Sequence, residues 1–256
     1  MKQYGWLKAM YMSFYSRQLY RDVAQNWGLG TFFYLFLLLA ICWAVLMFRI
    51  QPVINLASAQ AISEIVPQLP ETIIIKEGKV TTPENKPYII RSNDSKEVIG
   101  IIDTSGQYTD LEKLKTPLLI TQDKVIYSEN HDAVKTYKIH SSLNANFVPT
   151  QVKDVILKVI GWLWIILFPI SLIGSFFYRV LQSILYAILG KLYAVIANIS
   201  VSYVEIVKLT MVANTPTIII STVLAWRGMW FHYSVLFFVL SIAYVIFAIG
   251  ANNNKI

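Results

Sequence analysis

Charge is what this chain is short of. Only 14% of its 256 residues are Asp, Glu, Lys or Arg, where a soluble domain carries about a quarter. Cysteine is scarcer still. Cys42 stands alone, which excludes an internal disulfide and any Cys-rich metal centre. Three histidines occur, His131, His140 and His232. Their spacing does not supply the clustered ligands of a zinc hydrolase, and they read as incidental residues. No Gly-x4-Gly-Lys-Ser/Thr loop is present to cradle phosphates, and Gly28-Leu29-Gly30 lacks the third glycine of a dinucleotide fingerprint. A serine nucleophile requires an adjacent base, and no serine here has a histidine partner that makes a defensible catalytic pair. No catalytic residue, cofactor or metal is expected, and no internal repeat is visible.

What is there is apolar sequence in long runs. Gly28–Phe48, Val159–Tyr178, Leu209–Trp226 and Gly228–Asn252 contain no charged residue, and Val180–Val204 contains only Lys191. About 20 mainly apolar residues make a helix that crosses a bilayer, and its backbone bonds are satisfied internally. The expected fold is therefore a membrane all-α helical bundle of about five transmembrane helices, with an inserted small extracytoplasmic β-rich domain. The spans are Gly28–Phe48, Val159–Tyr178, Val180–Ser202, Met211–Trp226 and Gly228–Gly250. Lys191 falls within the third, at a cost of about 2.5–3.5 kcal/mol at that depth. Two short helices broken at Gly190-Lys191 are an alternative there, so crossing and lying in-plane both stay open for 180–204.

Residues 1–27 form a basic, aromatic leader, with Lys2, Lys8, Arg17 and Arg21 against Asp22 alone. Trp6, Leu7, Met10, Tyr11 and Phe14 recur at spacings of three and four, the mark of an amphipathic helix. It either lies on the membrane surface or docks on the protein's own bundle. Residues 28–49 follow as the first transmembrane helix. Ala57-Ser58-Ala59 resembles a signal cleavage site, but the leader is too long and the apolar run too extended for a secretory signal. An uncleaved anchor is expected, with the N-terminus cytoplasmic.

Residues 50–152 carry ten basic and twelve acidic residues, and the rest of the chain twelve and three. The excess positive charge thus belongs to the membrane part, where it meets anionic lipid. Nucleic acid is not an expected partner, because the polar segment is slightly acidic. That segment reads as strands between turns: Thr72–Ile75, Pro87–Arg91, Val98–Ile102, Pro117–Thr121, Lys124–Tyr127 and Val134–Ile139. Lys76-Glu77-Gly78-Lys79 is a hairpin turn, and short helices fit Asn55–Val66 and Tyr108–Leu114. Together they predict a small antiparallel sheet. Asp103-Thr104-Ser105-Gly106 is either a turn that ends a strand or a small ion-binding loop. Asn93-Asp94-Ser95 matches the glycosylation triplet. Residues 153–256 hold the remaining spans, about four. Five crossings from a cytoplasmic N-terminus put the C-terminus outside.

Three stretches resemble a known family. Ser13-Phe14-Tyr15-Ser16 with Leu19-Tyr20-Arg21 ahead of Gly28 is similar to the opening of the bacterial membrane family called domain of unknown function 1189. Thr72–Lys79, Lys86–Ile90, Ile101–Gly106 and Leu118–Val125 resemble its extracytoplasmic module. Tyr203-Val204-Glu205-Ile206 with Met211–Pro216 resembles its C-terminal half. There the family is similar to Yip-type membrane proteins, whose Tyr-Ala-x-Thr-Pro element reads Val212-Ala213-Asn214-Thr215-Pro216 here, with the tyrosine unmatched. The resemblance implies a multi-pass protein of a bacterial inner membrane and carries over no catalytic residue. Some members are linked to maltodextrin utilisation, which implies proximity to a transport system.

The candidate functional residues are the polar groups within apolar sequence. Lys191 is one, since an ionisable group at that depth either snorkels or serves a purpose. Asn214 and Thr215 suit hydrogen bonds between helices, and Pro216 opens a helix at its first turn. Glu205 and Lys208, three apart, suit an ordinary interfacial pair. Arg227 between Trp226 and Trp230 suits a boundary anchor. The expected function is a non-enzymatic scaffold or accessory subunit that binds partner membrane proteins. The alternative is a small transporter or lipid-handling protein with a polar path near Lys191 and Asn214–Pro216, its ligand left open.

Overall fold

The computed structural model describes residues 3–92, 95–111, 116–129, 133–229 and 234–253. Asn93, Asp94, Leu114, His131, Trp230 and His232 lie outside them. The chain forms two compact units, 1–51 with 164–256, and 52–163.

The first unit begins with two short helices, α1 (Trp6–Met12) and α2 (Arg17–Asn26). Ser16 separates them, its hydroxyl accepting from the Leu19 amide at 3.3 Å as the N-cap of α2. Leu19, Tyr20 and Val23 are fully buried, and α2 packs on α5 (Tyr203–Ala213) and α7 (Ser234–Gly250). Docking on the bundle is thus the outcome for α2. Each such side chain is worth about 1.5–3 kcal/mol when removed from water. Leu7, Tyr11 and Tyr15 point outward, more than half exposed, so the leader keeps one apolar face free.

The apolar runs depart from the five expected spans. The first helix, α3, does not stop near residue 49 but runs from Gly30 to Ile65. It absorbs the short helix expected at Asn55–Val66, and a 3-10 turn, Val66–Gln68, follows it. The second and third expected spans are one helix, α4 (Pro149–Ile196), about 72 Å long at 1.5 Å per residue. No turn interrupts it at Arg179 or at Gly190-Lys191. Among the described residues three helices are long and apolar enough to cross a membrane: Gly30–Gln68, Pro149–Ile196 and Tyr203–Trp226, the last interrupted at Asn214 between α5 and α6 (Thr215–Trp226). A shorter apolar helix runs over Val235–Gly250. Five separate spans are therefore not supported. Arg21 Nε of α2 donates to the carbonyl of Ala251, just past α7, at 2.6 Å. The second leader helix is thus tied to the end of the last apolar helix.

Gly190 lies where three helices meet. A Cβ there would come within 2.9 Å of Ile206 Cγ2 and Ile249 Cδ1, and within 3.1 Å of Val245 Cγ1. The glycine marks close packing of α4 on α5 and α7, and the helix passes through it unbroken.

The second unit holds two sheets. β1 (Ile73–Lys76) pairs antiparallel with β2 (Lys79–Thr81) and with β8 (Ala145–Phe147). The β1–β2 link is Glu77-Gly78, both with positive φ, 52° and 75°, the left-handed pair of a tight primed turn. The hairpin turn was legible, but its partner strand is Lys79–Thr81 and not Pro87–Arg91. The other sheet has the order β3 (Tyr88–Arg91), β4 (Val98–Ile102), β5 (Leu118–Ile120), β6 (Lys124–Glu129), β7 (Ala133–Lys138). All neighbours run antiparallel except β4 and β5, which run parallel with Ile101 opposite Leu119. That pairing needs a crossover, and its described part, Asp103–Leu111, has no helix. Its core is small: Ile101, Leu111, Leu119 and Ile126.

A paired substitution in α4 tests the packing. Gly190→Ala should destabilise the detergent-solubilised protein by about 1–3 kcal/mol through overpacking. Gly174→Ala, with no atom within 4 Å of the added Cβ, should be neutral or gain up to about 1 kcal/mol from helix propensity. Thermal unfolding of the two variants side by side reads the difference.

Candidate functional site

The structure uses most of the sequence's candidate polar residues to join helices. Lys191 Nζ donates to the carbonyl of Val201 at 2.9 Å, in the connection between α4 and α5. It lies five residues from the end of α4, so its side chain reaches past that end to a carbonyl of the following loop. Glu205 belongs to a capping box: its carboxylate accepts from the Ser202 amide at 2.7 Å, while its own amide donates to Ser202 Oγ at 3.3 Å. The expected Glu205–Lys208 pair does not form. Lys208 Nζ instead donates to the carbonyl of Ala24 at 2.9 Å, fastening α5 to the end of α2.

Asn214, Thr215 and Pro216 are buried in the first unit. Asn214 is the break between α5 and α6, and Pro216 sits in the first turn of α6, where a missing N–H costs nothing. The Asn214 amide nitrogen approaches Ser183 Oγ of α4 at 3.5 Å, and its Oδ1 has no partner. The Thr215 hydroxyl pairs with Tyr34 of α3 at 2.7 Å. One turn on, Ser241 of α7 donates to Thr217 at 3.2 Å. This polar layer joins α3, α4, α6 and α7. Lys191 is not part of it, since it lies about 12 Å along α4 from Ser183. The path expected to link Lys191 with Asn214–Pro216 is not assembled.

A different group was hidden by the expected boundary between two spans. Ser175, Arg179, Gln182 and Tyr186 fall at i, i+4, i+7 and i+11 of the continuous α4, which makes one stripe. They line a half-open cavity of about 490 Å³ with residues of α3, α6 and α7. Arg179 Nη1 donates to Gln182 Oε1 at 2.6 Å, and Gln182 Nε2 donates to the Tyr186 hydroxyl at 2.9 Å. The Arg179 guanidinium also lies over the Tyr178 ring, 5.7 Å from its centroid. Trp43 Nε1 of α3 donates to Ser175 Oγ at 2.8 Å. The stripe was present in the sequence, but an arginine placed between two helices has no face.

The loop Asp103–Gly106 is a closed turn. Asp103 is 1% exposed. Its carboxylate accepts from Ser105 N at 2.8 Å, Ser105 Oγ at 2.6 Å and Tyr108 N at 2.5 Å. Burial opposes ionisation, yet these donors and the Gly106 amide hold the carboxyl below its usual range. The amides that might have met an anion are spent on this side chain. Among the described residues no three His, Cys, Asp or Glu side chains gather as a metal site. His140 bonds locally to Ser142 at 2.8 Å.

The family model described as "Protein of unknown function (DUF1189)" matches residues 7–249, and the chain belongs to that family. No curated protein and no solved structure matches it. The likeness to Yip-type proteins gains no support from these comparisons.

Two expectations follow. Lys191→Met should accumulate normally, and the segment 197–202 should exchange its amide hydrogens faster as the tie to Val201 is lost. For Asp103 the folded pKa is depressed, so its stabilisation is complete above the unfolded value of about 3.9 and fades as pH falls through the folded one. The thermal stability advantage of the wild type over Asp103→Asn should therefore be full at pH 6 and shrink below about pH 4.

Proposed function

We propose that the protein is a multi-pass subunit of a bacterial inner membrane that binds partner membrane proteins and performs no chemistry of its own. Its leader lies on the cytoplasmic side and residues 50–152 on the outer side. The basic leader supports that orientation, and the Arg21–Ala251 bond supports a reading in which residue 251 lies near the leader.

One observation carries the binding role. Only 6% of the most apolar stretch of α4 is buried, against 44% for Gly30–Gln68 and 61% for Tyr203–Trp226. A stretch of α4 that lends so little of its surface to its own bundle offers an apolar face to another helix. The absence of chemistry is supported by how the polar groups are used. Asp22 is 3% exposed and accepts from Asn26 and Trp27 at 2.8 Å each and from the Gln3 amide at 3.1 Å. Glu205 is likewise engaged in capping α5, Lys191 in bonding the α4–α5 connection and Lys208 in tying α5 to α2.

Photo-cross-linking residues placed along α4 in cells test this directly. Ile166, Ile170 and Ile173, all outward and on one side of the helix, should capture one membrane protein, and a probe at the fully buried Ala187 should capture none. Adducts to lipid alone at every exposed position would overturn the subunit role.

A further inference from the structure

We infer that the cavity on α4 is a binding site for the phosphate head of an anionic phospholipid, with Arg179 as its charge partner. The inference rests on the reading that the bundle spans a bilayer, and it goes beyond the subunit role.

Charge is the first argument. The unit that holds the cavity carries ten basic residues and only two acidic ones, Asp22 and Glu205. Both acids are committed elsewhere, Asp22 within the leader and Glu205 at the start of α5. Among the described residues of its own unit, Arg179 thus has no free side-chain carboxylate to meet it. An unpaired charge in apolar surroundings is costly, and an anion from outside removes that cost.

Hydrogen-bond capacity is the second. The bond that Arg179 makes from Nη1 ends on Gln182, which leaves most of the guanidinium's five donors. Gln182 donates to the Tyr186 oxygen, so the Tyr186 proton remains to be given. Other polar groups of the lining are satisfied without becoming acceptors for Arg179. Ser221 and Thr222 each donate to the carbonyl of Ile218 at 2.8 Å, and Ser175 donates to Leu172 while accepting from Trp43. The polar end therefore presents donors fixed by a chain of three residues. Guanidinium beside hydroxyl is the donor set that recognises phosphate oxygens.

Access is the third, and it selects a lipid over a free anion. The remaining lining is apolar, including Leu39, Leu46 and Phe238. Tyr178 lines the cavity and is 61% exposed, and Phe177 and Leu181 on the same outward surface are 66% and 57% exposed. The rim of the cavity is continuous with the face that α4 turns to the acyl chains. A volume of about 490 Å³ lies within the usual range of ligand sites, about 300–1,000 Å³.

The test uses the full-length protein in mild detergent, with native mass spectrometry for retained lipid and thermal shifts on adding phosphatidylglycerol, phosphatidylcholine or inorganic phosphate. The wild type should retain phosphatidylglycerol and be stabilised by it over phosphatidylcholine. R179Q should retain at least tenfold less and lose the discrimination, R179K should keep part of it, and Lys191→Met should match the wild type. Equal retention by R179Q and the wild type overturns the site, and stabilisation by inorganic phosphate as strong as by the lipid overturns the lipid in favour of a soluble anion. Should R179Q fail to accumulate, Ser221→Phe fills the cavity with Arg179 intact. It should abolish retention, and adducts that persist in it place the lipid elsewhere and sink the proposal. Release of the wild type from membranes by alkaline carbonate without detergent would sink the membrane-spanning reading itself, a result distinct from any failure of the site.

Discussion

The ends of helices govern this fold. Where a helix stops, its last carbonyls lose their intrahelical donors, and among apolar neighbours there is no water to replace them. The first unit meets that need with cations from other elements. Lys208 reaches the carbonyl of Ala24 at the end of α2, Arg21 reaches that of Ala251 past α7, and Lys191 reaches that of Val201 between α4 and α5. Each bond satisfies an acceptor, the first two join segments about two hundred residues apart in sequence, and a positive charge near a helix C-terminus is favoured by the dipole as well. The basic residues of the bundle are therefore part of its construction, and a charge count alone would have assigned them wholly to lipid.

Arg179 stands apart from that pattern. It sits in the middle of α4, far from any helix end, and its bond goes to a side chain. The contrast gives the cavity its significance. Where the other deep cations bond to the backbone, this one faces an open volume with a tyrosine and hydroxyls around it.

The sequence revealed the apolar class of the chain, the turn at Glu77-Gly78 and most of the larger sheet, because those depend on local composition. β4 matches its expected range, Val98–Ile102, and β3 and β7 lie within one or two residues of theirs. What it missed depends on partners distant in the chain. β8, Ala-Asn-Phe, has no strand signal and is recruited by pairing with β1. The fusion of two expected spans into α4 was masked by Arg179 and by Gly190, each of which resembles a boundary in one dimension. Gly190 is instead demanded by Ile206 and Ile249, thirteen or more residues away. The role of Lys191 was underdetermined for the same reason, since Val201 becomes its acceptor only once α4 and α5 have turned against each other.

The sheet part of the second unit begins and ends on neighbouring strands, β1 and β8. Ile73, close after the 3-10 turn, lies opposite Phe147, just ahead of α4. A segment whose two ends are hydrogen-bonded to each other behaves, in the history of a gene, as a cassette. Hairpins can be gained, lost or exchanged within it while the entry and exit strands stay paired, and the lineage can vary what it displays there without redesigning the helices that carry it.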